Sequence, residues 1–143
     1  MTDHRLTFPP RPSVLTQLRL RVRALAIQMG APAEVGDKLA LVVDELVNNA
    51  VEHGAAYRRR GLDLAIELHV VGDRTRIEFF DQEMPVEWVR ELARALAASS
   101  TGMPSLDSER GRGLFLMSVY LDDLCVEVAA TGGLRLVGTV QRQ

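Results

Sequence analysis

The segment Leu39 to Gly54, LALVVDELVNNAVEHG, does most to restrict what this chain can fold into. At about 100° per residue, Leu39, Val42, Val43, Leu46 and Ala50 form one apolar stripe, so the segment reads as an amphipathic helix that must pack on something. Asp44, Asn48 and Glu52 fall on the opposite side, toward water. Glu45, Asn49 and His53 recur every four residues, and their row drifts into the edge of the buried stripe. A carboxylate, an amide and an imidazole at a half-buried seam are costly unless something satisfies them. Either they cap a neighbouring strand and hydrogen-bond one another, or they meet a ligand. Asn49 points toward the seam and Asn48 away from it, so an ion coordinated here would be held by Asn49.

The pattern on either side of this helix sets the architecture. Residues 5–9 read as a short strand stopped by Pro9, Pro10 and Pro12. Ser13 is a candidate N-cap for a helix built on Val14, Leu18, Val22, Leu25 and Met29 and closed by Gly30. The outward residues Arg19, Arg21 and Arg23 read as a solvated face. Pro32 opens the second helix, which runs to Gly54. From Leu62 to Val70 apolar and polar residues alternate, the period of a half-buried strand. Gly72-Asp73 then turns the chain into a returning strand over about Thr75 to Asp81. Val86, Val89, Leu92, Ala93 and Leu96 mark a third helix. Residues 99–110 read as a loop, 111–121 as a helix, and 124–129 and 134–141 as strands meeting at Gly132-Gly133. Helices come in groups and strands pair as neighbours. The fold class expected is α+β, a two-layer sandwich with helices on one face of a mostly antiparallel sheet, as a single domain over 1–143.

Composition excludes several functions. Lys+Arg 17 against Asp+Glu 19 gives −2, which leaves no global basic field for nucleic acid or an anionic membrane. Lys38, between Asp37 and Leu39, is the only lysine, so a Gly-Lys-Ser/Thr phosphate loop and a lysine Schiff base are both absent. The single cysteine, Cys125, forms no internal disulfide or thiolate zinc cage. Among Leu124, Val126 and Val128 it reads as a buried apolar filler. One imidazole beside Glu45 and Asn49 is poor for zinc. No apolar run approaches the ~18 residues that span a bilayer, and the first residues lack a signal peptide's apolar core, so a cytoplasmic protein is expected. Arg58-Arg59-Arg60, without interleaved aromatics, reads as solvated charge after a helix or as a contact for an acidic protein partner rather than for nucleic acid.

Two further sites carry chemistry. Gly111-Arg112-Gly113-Leu114 stands where a loop becomes a helix, and free N–H groups there favour an anion such as phosphate. The same glycines also suit a plain hinge before a buried helix. Arg112 either strengthens anion binding or faces solvent. Asp81 ends a strand after Phe79 and Phe80. Its carboxylate is placed either to accept from the amino group of a buried base or to cap the turn before Pro85.

In order along nearly the whole chain, these stations resemble the GHKL (Bergerat-fold) superfamily, and within it the bacterial anti-sigma factor serine-protein kinases. Glu45-x-x-x-Asn49-Ala50-x-x-His53 is similar to the family's N box. Asp81 stands where its first glycine box begins, and Gly111-x-Gly113-Leu114-x-Leu116-Met117 is similar to the second. The resemblance implies ATP and Mg²⁺ as cofactors, with Asn49 the protein's magnesium ligand and Glu45 the general base on a partner's serine hydroxyl. It further implies Asp81 on the adenine amine, the amides of Gly111, Gly113 and Leu114 on phosphates, residues 99–110 as a lid, and His53 orienting its neighbours. The implied partners are a sigma factor, an anti-anti-sigma protein of the STAS type and, by the same resemblance, a second copy of this chain. Two positions depart from the family. Glu83 replaces a glycine two residues after the aspartate, where it would crowd the purine, and Leu134 stands where a threonine often faces the base. Both lie on the adenine side, so the alternative reading is a protein-binding module with impaired catalysis.

Overall fold

A computed structural model of the chain describes residues 2–99 and 117–140. Its elements are β1 (Thr2–Phe8), a 3₁₀ turn at Pro12–Val14, α1 (Leu15–Gln28), α2 (Ala33–Gly54), β2 (Leu64–Val71), β3 (Arg74–Asp81), α3 (Val86–Ser99), β4 (Leu121–Val128) and β5 (Leu134–Val140). The strands form one sheet in the order β1-β2-β3-β5-β4, with each neighbouring pair antiparallel. This is the expected α+β two-layer fold, with the sheet antiparallel throughout. One core joins Leu18 and Val22 of α1, Leu39, Val43 and Leu46 of α2 and Val89 of α3 to the inward residues Leu64, Ile66 and Leu68, Ile77 and Phe79, and Leu134 and Leu136. These strand residues sit two apart because successive side chains of a strand face opposite ways.

The other face of the sheet is held by charge. Arg5 pairs with Glu67, its register partner across β1 and β2. Glu78 receives Arg135 at 2.7 Å, Arg76 at 3.2 Å and His69 Nε2 at 2.7 Å, while Arg135 also reaches Glu127. The long arginine stems cover Glu78, which is buried although none of the described helices lies over it.

Several expectations change. Ser13 does not cap α1: it lies inside the 3₁₀ turn, Val14 is the cap residue, and no side chain bonds the cap. Pro12 starts that turn early, because its fixed φ suits a first helical position. Arg19 and Arg23 are not merely solvated. They meet Asp44 at 3.3 Å and Asp37 at 2.7 Å on α2, which leaves Asp44 half-buried between the helices rather than free in water. β4 begins at Leu121, so the preceding helix ends by residue 120. A register shift between Asp122 and Cys125, with Asp123 at φ +54°, resets the alternation of this strand. Val126 therefore faces the core and Cys125 is exposed, not buried. No helix among the described residues is long and apolar enough to cross a membrane.

The packing of α2 is directly testable. Leu39 is 0% exposed and Leu20 on α1 is 65% exposed. Leu39→Ala is expected to lower the unfolding free energy by about 2–5 kcal/mol through lost contacts and an unfilled cavity. Leu20→Ala is expected to stay within about 0.5 kcal/mol. Urea titrations of the two variants check both values.

Candidate functional site

The second half of α2 and the ends of β3 and β5 surround one cavity. Among the described residues it is lined by Asn49 and His53 from α2, Asp81 from the end of β3, and an apolar wall of Leu46, Ala50, Phe79, Met84, Leu92, Met117, Leu134 and Leu136. Asn49 and His53 reach it together because residues four apart share a helix face. Leu134 pairs with Asp81 in the β3–β5 register, which puts an apolar side chain beside the carboxylate. His53 Nε2 is buried with no hydrogen-bond partner among the described residues, in a pocket that is otherwise mostly apolar. Such an atom is costly to leave unpaired unless a ligand meets it. Glu45 is half-buried one turn before Asn49 and is not among the residues lining the cavity. Gly111, Arg112, Gly113 and Leu114, and the proposed lid over 99–110, lie outside the described residues, apart from Ser99 at the end of α3.

Asp81 is 0% exposed, and its carboxylate is fully engaged. Oδ2 accepts the Tyr57 hydroxyl at 2.7 Å and Arg58 Nη2 at 2.8 Å, and Oδ1 accepts Arg58 Nη1 and the Glu83 N–H, each at 3.1 Å. The Glu83 N–H bond is the turn-capping contact that an aspartate makes two residues on. Trp88 of α3 packs edge-on against Tyr57, with ring centroids 5.2 Å apart. Arg58 also donates to the Ala50 carbonyl at 3.1 Å and lies over the Tyr57 ring at 5.2 Å. The Asp81 hydrogen bond and charge more than offset the effect of burial on Arg58, whose pKa is raised above its ordinary value.

This corrects the reading of Arg58-Arg59-Arg60 as solvated. Arg59 and Arg60 are exposed, but the Arg58 side chain is only 11% exposed and forms the buried ion pair. Gly54 makes the approach possible, since a Cβ there would strike the guanidinium. Gly133, at φ +80°, likewise lets the β4–β5 turn lie against the backbone of Asp81 and Gln82, where a Cβ would collide.

Glu83 does not crowd the cavity. Its carboxylate turns away and accepts the N–H groups of Arg60 at 2.7 Å, Leu62 at 2.9 Å and Arg59 at 3.0 Å, with Arg58 Nη1 at 3.4 Å. Those contacts pin 58–62 and end it where β2 begins, at Leu64 rather than Leu62. Tyr57 and Arg58 were missed in the sequence because nothing local marks a buried arginine within an arginine triplet. Gly54, four residues before Arg58, was the available signal.

A second polar group lies on the outer face of the sheet. Ligand atoms of Glu67, His69 and Glu78 fall within 4.8 Å of one another. Arg5, Arg76 and Arg135 already occupy both carboxylates, which leaves the group saturated with cationic donors and poorly suited to a metal ion.

The family description "Histidine kinase-like ATPase domain" matches residues 8–137. The chain belongs to this family. Its place in the GHKL superfamily, on the anti-sigma and serine-kinase branch, agrees with its relatives. It is 28% identical over 137 residues to a Bacillus pumilus protein named serine-protein kinase RsbW, covering 94% of this chain and 82% of that one. It is 25% identical over 119 residues to the anti-sigma F factor of Clostridium acetobutylicum, covering 83% and 79%. A solved structure titled as the SiaB–SiaC complex of Pseudomonas aeruginosa shares the fold at TM-score 0.71 and 12% identity, over 96% of this chain and 88% of that one.

Burial pushes the Glu83 carboxyl up, but the N–H groups of Arg60, Arg59 and Leu62 and the charge of Arg58 outweigh it and bring it from an ordinary 4.5 down to about 2. A depressed carboxyl pKa contributes stability above the unfolded value, and that contribution fades as pH falls toward the folded one. The Tm of the wild type is therefore expected to exceed that of Glu83→Gln at pH 7, with the gap closing between about 4.5 and about 2. Thermal melts of both proteins across that range check it.

Proposed function

We propose that residues 1–143 act as one cytoplasmic regulatory domain of the anti-sigma kinase type. It binds Mg-ATP, holds a sigma factor, and transfers phosphate to a serine of an anti-anti-sigma (STAS-domain) partner. The observation that carries this reading is the convergence of Asn49, His53 Nε2 (without a partner among the described residues) and Asp81 on one largely apolar cavity. The names of the curated relatives support the kinase and anti-sigma parts.

The donor set fits magnesium in a limited way. A single amide oxygen from Asn49 suits an ion that keeps most of its shell as water and phosphate oxygens. Bound magnesium would supply charge neutralisation for the phosphates. In this reading Glu45 takes the proton of the incoming serine hydroxyl, and Asn49 and His53 orient the groups beside it. The amides of Gly111, Gly113 and Leu114 hold phosphate, with Arg112 adding charge. Glu45 stands a helical turn from the cavity lining, at the edge where a partner's side chain would enter.

A second reading, a protein-binding module with impaired phosphotransfer, is favoured by the saturation of Asp81. The two separate in one experiment. Calorimetric titration is expected to show Mg-ATP binding at least tenfold weaker in Asn49→Ala than in the wild type. With a STAS-domain partner and ATP, serine phosphate is expected from the wild type and not from Glu45→Gln. Complex formation without phosphoserine from the wild type favours the binding module, equal Mg-ATP binding by the wild type and Asn49→Ala removes Asn49 from the nucleotide site, and no binding by the wild type removes the site.

A further inference from the structure

We infer that Arg58 is a built-in competitor for the base end of the cavity, so that this chain engages nucleotide without reading the exocyclic amine of the purine. The inference rests on the nucleotide-binding reading above and names the residue that sets its base selectivity. A carboxylate has about four lone-pair sites. At Asp81 four donors fill them: the Tyr57 hydroxyl, both terminal nitrogens of Arg58 and the Glu83 N–H. An adenine amine that approached Asp81 would have to evict one of them.

None leaves freely. The Glu83 N–H belongs to the turn that follows β3, and Tyr57 is steadied by Trp88. Arg58 is held from three sides, by the Ala50 carbonyl, the Tyr57 ring and Glu83. Glu83 also fixes the backbone just beyond it, at Arg59, Arg60 and Leu62. Exchanging a forked, charge-assisted guanidinium contact for one neutral N–H donor is unfavourable at a site closed to water. The fold has made room for the guanidinium as well, because a side chain at Gly54 would collide with it. Glu83, which stands where a glycine was expected, thus serves Arg58 rather than the base.

Adenosine and inosine nucleotides test this directly, since inosine carries an oxygen where adenosine carries the amine. Mg-ATP and Mg-ITP are titrated calorimetrically into the full chain, Arg58→Ala and Arg58→Lys. The wild type is expected to bind the two nucleotides within about threefold of each other. Arg58→Ala frees acceptor positions on Asp81 and is expected to prefer ATP by tenfold or more, with tighter ATP binding than the wild type. Arg58→Lys keeps a cation beside Asp81 but cannot bridge both oxygens. It is expected to fall between the two, and it carries the test if the alanine variant does not fold. A wild-type preference for ATP of tenfold or more overturns the inference. So does an unchanged ATP-to-ITP ratio in variants that still bind nucleotide, and that result leaves the nucleotide reading standing. Failure of all three proteins to bind either nucleotide overturns the nucleotide reading and the inference with it.

Discussion

A carboxylate removed from water must be met by donors, and at Asp81 they arrive from separate stretches of the chain. Tyr57 and Arg58 come from the segment after α2, and the Glu83 N–H comes from the turn after β3. Tyr57 is in turn braced by Trp88 on α3. Desolvating an ion costs several kcal/mol, and taking away one partner of a buried pair typically costs about 3–5 kcal/mol. One charge therefore fixes where α2 ends, how the chain leaves it, and how α3 sits over the end of the sheet. The cavity takes its shape from that arrangement.

The two ends of this cavity differ in kind. Around Asn49 and His53, polar atoms face it, and one of them has no partner among the described residues. Around Asp81 the polar atoms are consumed within the protein, and Leu134 and Phe79 supply apolar surface. A ligand gripped mainly by its charged end fits this asymmetry better than one recognised by the edge of its base. The proposed phosphotransfer depends on the first end and tolerates the second, because positioning and charge neutralisation dominate phosphoryl transfer.

Much of this was legible in the sequence, and the rest was hidden for definable reasons. The period of four in Glu45, Asn49 and His53 and the period of two in Leu64, Ile66 and Leu68 are one-dimensional signals, and they gave the two layers and the half-buried seam. The positions of Arg58, Glu83 and Cys125 depend on three-dimensional facts. Arg58 is buried only because Asp81 lies 23 positions along the chain yet adjacent in space. Glu83 has its donors on backbone atoms, which leave no mark in residue identity. Cys125 reads as buried from its apolar neighbours, but alternation along β4 turns Val126 to the core and leaves Cys125 outside. The arginines of α1 looked like a solvated face because their partners, Asp37 and Asp44, belong to another helix.

The side of the sheet that no described helix covers has a consequence of its own. Across all five strands Arg5, Arg76 and Arg135 interleave with Glu67, Glu78 and Glu127, and His69 sits between Glu67 and Glu78. To lay another layer on this surface, water would have to be stripped from every outward guanidinium and carboxylate, with little apolar area gained in return. The lattice of opposite charges thus works as a hydrated barrier against stacking on a face that no described helix covers.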